Sequence, residues 1–414
     1  MTDDNLSKMS DMQWYMLRSK NPVYLAIHFQ EKISKTQFVD FARSVLAGAP
    51  GLAVKHDTAT DTFVPIDPEE IIKESTYSEV SDLSASWGEF LSELPDFFDH
   101  PNPIASAMRC YYLQPKNGSP EKCETLIITS AMHAVVEGMD ASRVLQGKQV
   151  QEFEASQQTI KSGVQEALYL VAGGVMAIGH HALARLTFGP RRNPIVRHVR
   201  IERRGIKAMA RKLGVSRKAL LFSLATNGLE SSSSKTGFLA KILPVSLAYT
   251  VYPNQMDVGD DRRIKLRVRT ALMRQTGGLE ILAKKFNALF KKQMGKPYFF
   301  QRLNNMAIRV HRQIEKVLPA LYGDTLFRYL TFSVCYTLLP PIALTGKLAG
   351  LRGGEILCGS ITTGTDVLSF CPSGDAFIIS FDIDSKQLSK IDDCVQYINA
   401  HGLEANRVQL EQSW

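Results

Sequence analysis

Apolar residues along the chain fall into two different periods. Val23–Phe29 (VYLAIHF) is a short run rich in β-branched and aromatic residues and predicts a strand. Just beyond it, Phe38, Phe41, Ala42, Val45 and Leu46 recur at helical spacing and predict a helix with one face in a core. Leu126–Thr129 is a continuous apolar run, the pattern of a buried strand. It ends at Ser130-Ala131-Met132-His133. Gly138 then breaks the chain, and Ala141–Leu145 can begin a helix. Ile206, Met209, Ala210 and Leu213 mark one face of another helix, which Gly214 stops; Ser216 can cap the next. Ile242–Tyr249 and Phe377–Phe381 read as strands, and Lys386–Ile398 as a helix. Between these halves, residues 155–195 carry an apolar stretch, Ala167–Gly179, followed by Gly189-Pro190, Arg191-Arg192 and Asn193-Pro194. The pattern predicts a mixed α/β chain of two lobes: an N-terminal lobe over 1–155, a crossover over 156–195 and a C-terminal lobe over 196–414. Ser231–Ser234 reads as a short loop, and no internal repeat is present.

Composition narrows the class. At 414 residues the chain exceeds one ordinary domain and suits two lobes of about 150–200 residues each. Its 44% hydrophobic and 22% charged residues are those of a globular protein. The opening MTDDNLSKMSDMQ is polar and acidic, unlike a signal peptide, and no run reaches the roughly 20 apolar residues of a spanning helix. Six cysteines without a C-x-x-C pair indicate neither a zinc site nor a disulfide framework. A cytoplasmic protein with free thiols is the expectation. The net charge of +8 fits nucleic acid, anionic lipid or a phosphate-bearing substrate such as coenzyme A. Nucleic acid is set aside, because no helix-turn-helix, zinc-finger or aromatic RNA-binding signature occurs.

The candidate chemistry lies in TLIITSAMHAVVEGMDASRVL, residues 125–145. A histidine just past a buried strand stands on a rigid platform at the edge of a crevice. A glycine lets the chain turn sharply after it. A neutral imidazole there can take a proton from an attacking hydroxyl, since its pKa lies near working pH. Glu137, four residues on, can pair with a cation and hold the turn.

MHAVVEG resembles the H-H-x-x-x-D-G motif of the coenzyme A-dependent acyltransferase superfamily. That superfamily includes chloramphenicol acetyltransferase, peptide-synthetase condensation domains and the wax ester synthase / diacylglycerol acyltransferase family. The catalytic second histidine of the motif falls on His133. Met132 replaces the first histidine, Glu137 replaces the aspartate, and Gly138 is kept. Further segments resemble the wax ester synthase branch in the expected order. Leu6–Asp11 looks like its L-S-x-x-D opening, and Asn102-Pro103-Ile104 like the segment ahead of the histidine. Ile206–Ala210 with Gly214 resembles the helix that opens its second lobe, and Leu243–Leu247 its V-P-V-S-L stretch. Ser333 through Gly346 resembles the S-N-V-P-G-P…P-L…G region, retaining Ser333, Pro341 and Gly346. Ser369-Phe370, Gly374 and Asp384 resemble the closing pattern. Departures occur at Val334 and Tyr336-Thr337, at Lys218-Ala219 and at Ala248.

The resemblance implies two chloramphenicol acetyltransferase-like lobes with mixed sheets and a tunnel between them. It implies His133 as general base, an acyl-CoA co-substrate, an alcohol, amine or lipid acceptor, and no metal or bound cofactor. It also leaves a carrier-protein thioester donor, as in condensation-type enzymes, and an inactive lipid- or partner-binding member of the same fold as alternatives.

Other residues compete for these roles. His180-His181 carries both histidines, but Arg185 stands where the carboxylate belongs and Leu186 where the glycine belongs. Asp140 can replace Glu137 as the motif carboxylate, although the spacing favours Glu137. Leu282, Phe286, Leu289 and Phe290 with Lys284, Lys285, Lys291 and Lys292 form a cationic amphipathic pattern. Its plain reading is a core-facing helix with a solvated basic face; its sharper reading is contact with anionic lipid. Arg191, Arg192, Arg197, Arg200, Arg203 and Arg204 form a second basic cluster, beside the apolar stretch Ala167–Gly179. With it goes the expectation of peripheral contact with an anionic membrane.

Overall fold

The structure is a computed structural model. It describes residues 9, 11–57, 60, 62–99, 106–116, 124–136, 138–149, 167–168, 170–175, 193–231, 245–251, 267–273, 278–293, 299–319, 334–344, 346–361, 366–408 and 410. The predicted first strand is β1 (Pro22–Phe29). The predicted helix is α2 (Lys35–Gly48), which follows a short first helix, α1 (Asp11–Arg18). Ser34 caps α2: its hydroxyl accepts from Gln37 N while the Gln37 side chain accepts from Ser34 N, a reciprocal box. Phe38, Phe41, Ala42, Val45 and Leu46 are all buried, as the spacing predicts.

The remaining strands are β2 (Val54–Asp57), β3 (Thr62–Pro65), β4 (Thr76–Val80), β5 (Met108–Pro115), β6 (Thr125–Met132), β7 (Pro194–Glu202), β8 (Val245–Val251), β9 (Arg267–Met273), β10 (Val334–Leu338), β11 (Glu355–Ser360), β12 (Asp366–Ser373), β13 (Ala376–Asp384) and β14 (Ala405–Arg407). The other helices are α3 (Pro68–Lys73), α4 (Leu83–Glu93), α5 (Gly138–Leu145), α6 (Arg203–Leu213), α7 (Arg217–Ser231), α8 (Leu279–Gln293), α9 (Phe299–Val317) and α10 (Ser389–Ala400).

Two mixed sheets dominate. The first has five strands in the order β11-β1-β6-β5-β4, and the second has seven in the order β14-β7-β13-β12-β10-β8-β9. In the first, only β4–β5 is parallel; in the second, β10 runs parallel to both β8 and β12. β11 lies far C-terminal to the expected lobe boundary at 196, yet it pairs antiparallel with β1. Val23 therefore faces Ala131 of β6 on one side and Ser360 of β11 on the other.

Alternation along the strands separates the cores. Ile27, Phe29, Ile127 and Ala131 face α2. Tyr24, Ala26, Leu126 and Ile128 face the opposite way, into a core shared with Trp87 of α4 and with Val196 and Ile378 of the second sheet. A hydrogen bond of 2.6 Å between Tyr24 Oη and His198 Nε2 crosses that shared core. The second sheet is covered by α7, where Phe222 meets Tyr336 and Phe370.

The start of α7 bears out the cap at Ser216, whose hydroxyl accepts from Ala219 N. Gly214 ends α6 in the left-handed conformation at φ +65°. The helix expected over Lys386–Ile398 is divided. Asp384 captures Lys386 N and winds a tight turn over Ser385–Gln387, so the α-helix proper starts at Ser389. The strand expected over Ile242–Tyr249 is β8, described over Val245–Val251; residues 242–244 lie outside the described residues.

Candidate active site

β6 ends at Met132, and His133 opens the turn that follows. Three bonds hold this turn. His133 N donates to Asn21 O at 3.2 Å, Gln13 Nε2 of α1 donates to Ala134 O at 3.0 Å, and Val135 N donates to Met132 O. The ring is oriented by a fourth: Nδ1 lies 3.1 Å from Val136 O. A carbonyl oxygen can only accept, so Nδ1 carries the ring proton and Nε2 keeps a free lone pair. Burial pushes the His133 pKa below its ordinary value, and the bond to the Val136 carbonyl opposes that only in part. The imidazole is therefore neutral near pH 7, in the tautomer a general base needs.

His133 opens onto a cavity of about 130 Å³. Its walls are mostly apolar: Phe41, Val45 and Leu52 from α2 and the turn after it, Met108 from β5, and Val144 and Leu145 from α5. The second lobe closes the far side with Thr337, Leu339, Ile342 and Ser369, and β11 adds Cys358, Gly359 and Ser360. The two lobes are tied together beside the site. Ser142 Oγ of α5 donates to Pro341 O at 2.7 Å, which docks the helix after the histidine turn onto the segment after β10.

These contacts place the sequence-predicted residues. Met132, at the position of the first motif histidine, is buried in a core with Met9, Trp14, Met16 and Ile308. It packs away from the cavity, beneath α1. Gly138 is the first residue of α5. Asp140 is buried and lines the cavity with His133. Gly346 adopts φ +81°, a backbone that disfavours any other residue. Pro341 contributes its carbonyl to Ser142. Glu137, Ser333, Asn102-Pro103-Ile104, His180-His181 and Arg191-Arg192 lie outside the described residues. Asp11, last residue of the L-S-x-x-D-like opening, is ion-paired with Arg309 and Arg312 of α9. Gln13, Asn21 and Thr337 carry no local sequence signal, since their roles depend on partners distant in the chain.

No family model and no curated protein matches the sequence. Solved structures do match. The TRI3 trichothecene 15-O-acetyltransferase from Fusarium sporotrichioides superposes with a TM-score of 0.61 at 9% identity, covering 95% of each chain. The chain has the two-lobed fold of the chloramphenicol acetyltransferase-like and condensation proteins. The wax ester synthase/diacylglycerol acyltransferase from Marinobacter aquaeolei VT8 matches with a TM-score of 0.52 at 11% identity, over 95% of this chain and 97% of that one. The starter condensation domain of rhizomide synthetase, solved with C8-CoA, matches with a TM-score of 0.52 at 14% identity, over 96% and 94%. The resemblance read from short segments thus agrees with the fold of the whole chain. At these identities it is the fold that is shared.

Proposed function

We propose that this protein is an acyltransferase that moves an acyl group from a thioester, acyl-CoA in the first instance, to the hydroxyl or amine of a lipidic acceptor. The observation that carries the reading is a neutral histidine with Nε2 free, opening onto an apolar cavity between two lobes of this fold. The acyl chain would lie along the α2 and α5 walls, with its thioester at His133. His133 Nε2 would take the acceptor's proton as oxygen or nitrogen attacks the carbonyl carbon, then return it to the departing thiolate. Holding both substrates in line supplies much of the rate, and no metal or bound cofactor enters the scheme.

The lipidic acceptor is supported by the surface. Leu168, Val171 and Val175 are each 66% exposed and share one helical face, while Gly173 packs against Met306 and Ala307 of α9. Such a face suits peripheral contact with a bilayer from which insoluble acceptors are drawn.

The test is thiol release from acyl-CoAs of several chain lengths, measured with and without a long-chain alcohol or diacylglycerol. Release that rises with acceptor and yields an acylated product is expected. Release from an acyl-carrier-protein thioester alone would move the reading to the condensation-type alternative.

A further inference from the structure

Val144 and Leu145 of α5 line the cavity, and the last turn of the same helix and the residues after it carry Arg143 and Lys148. The connection from β10 to β11 packs against this turn and carries Lys347 and Arg352. Two glycines gather the four cations. Gly147 adopts φ +69°, and a Cβ on it would stand 2.6 Å from Lys347 Cβ, so a contact that only glycine permits brings Lys148 beside Lys347. Gly346 adopts φ +81°, and a Cβ there would stand 2.5 Å from Arg352 Nε, so the Arg352 side chain lies against the backbone next to Lys347. The bond from Ser142 Oγ to Pro341 O and a longer one from Gln146 Nε2 to the same carbonyl hold the two segments together.

Residues 141–149 and 341–354 contain these four basic residues and no Asp or Glu. Lys148, Lys347 and Arg352 are exposed, and Arg143 is half-buried. None of the four forms an ion pair among the described residues. Arg143 Nε donates to Gln149 O and Lys148 Nζ to Gln146 Oε1, both neutral acceptors. The carboxyl end of α5 supplies about half a negative charge, which offsets only a fraction of four cations. Like charges held this close repel one another, and an anion relieves the repulsion. Exposed cations on two adjoining turns suit a plane of many phosphates better than one phosphate enclosed in a pocket.

We propose that Arg143, Lys148, Lys347 and Arg352 form an electrostatic docking surface for an anionic bilayer; the choice of a bilayer rests on the lipidic-acceptor reading above. Contact here sets the α5 wall of the cavity against the membrane that stores the acceptor. The patch supplies the salt-sensitive part of binding, and the apolar face of Leu168, Val171 and Val175 supplies the part that salt does not screen. Each cation brought to an anionic surface raises affinity about fivefold, so the four together raise it by a few hundredfold.

The test is flotation at low salt with vesicles of phosphatidylcholine alone and of phosphatidylcholine with phosphatidylglycerol. One variant carries Arg143→Gln, Lys148→Gln, Lys347→Gln and Arg352→Gln. A second removes the same four charges from the net +8 at exposed positions of α6, by Arg204→Gln, Lys207→Gln, Arg211→Gln and Lys212→Gln. The first is expected to lose about 100-fold or more in affinity for the anionic vesicles, and the second to lose far less. Two double variants, Arg143→Gln with Lys148→Gln and Lys347→Gln with Arg352→Gln, should each lose about 10-fold or more, which decides the matter if the quadruple variant does not fold. Wild-type flotation of the first variant, or equal losses in the two quadruple variants, overturns the assignment. So does a rise in wild-type melting temperature with inorganic pyrophosphate, absent from the first variant, if anionic vesicles are not bound. If wild type releases thiol with a water-soluble alcohol but floats with neither vesicle, this inference alone fails. If it releases thiol with no acceptor at all, the acyl-transfer reading falls, and flotation still decides whether the patch meets a bilayer.

Discussion

At the residue scale the proposed base is His133, whose pKa is lowered by burial. A base must be deprotonated to act, so activity should be lost as pH falls through that lowered pKa. The acidic limb of kcat/KM is therefore expected below the ordinary imidazole value of about 6.5. Replacing His133 with alanine should cut turnover about 100-fold or more with the melting temperature preserved. An acidic limb well above the ordinary value, or a fully active folded variant, would remove His133 from the chemistry. The histidine could be read from the sequence because strand, histidine and glycine are local. Its tautomer could not. That depends on the Val136 carbonyl, and on Gln13 and Asn21 reaching the turn from α1 and β1. Nor does spacing reveal that Met132 is core: Met9, Trp14 and Ile308 surround it from segments more than a hundred residues away on either side.

At the element scale, α2 does two jobs with one apolar face. Phe38, Phe41 and Val45 fill the first-lobe core, and Phe41 and Val45 also wall the cavity. A larger side chain at Val45 should shorten the space for an acyl chain. Val45→Phe is expected to shift preference towards shorter acyl-CoAs, at an overpacking cost of about 1–3 kcal/mol in stability. A chain-length series that leaves the optimum unmoved would place the acyl chain elsewhere. The lysine-rich helix shows periodicity reading correctly in its plainer form. On α8, Leu282 and Phe286 are buried, Leu289 and Phe290 pack against the second-lobe core, and Lys284, Lys285 and Lys291 are exposed. Its apolar face is spent on packing and is not available to a bilayer.

At the scale of the whole molecule, the first sheet is completed by β11, and one core is shared by both sheets. Arg200 of β7 adds ion pairs to Glu355 of β11 and to Asp375. Neither lobe can unfold without disturbing the other. Calorimetry is expected to show one transition with matching calorimetric and van't Hoff enthalpies. Two resolved transitions would mean the lobes are independent. The same pairings bear on membrane contact. Arg200 is engaged internally, and Arg203 faces Gly374 O and the Phe377 ring, so part of the expected basic patch serves the fold. Binding to anionic vesicles should then weaken with salt yet persist through the apolar face of Leu168, Val171 and Val175. Flotation should fall in Val171→Glu; equal flotation of variant and wild type, or none even at low salt, would discard that face as the contact.

What the sequence by itself determined was local: α2 and its buried face, the buried strand β6, the stop at Gly214, the cap at Ser216, and the histidine at a strand end. Each follows from side-chain period or backbone preference within a few residues of chain. The mixed two-lobed architecture was also legible, through short segments in a recurring order. The tertiary structure decided the rest. It brought Glu355–Ser360 beside β1, buried Met132 away from the cavity, gave Tyr24 its partner in His198, and brought Thr337 and Ser369 to the cavity that His133 lines. The physical reason is common to all four. Strand pairing and core packing join residues tens to hundreds of positions apart, and their energies depend on a register and a surface that exist only once the chain has folded.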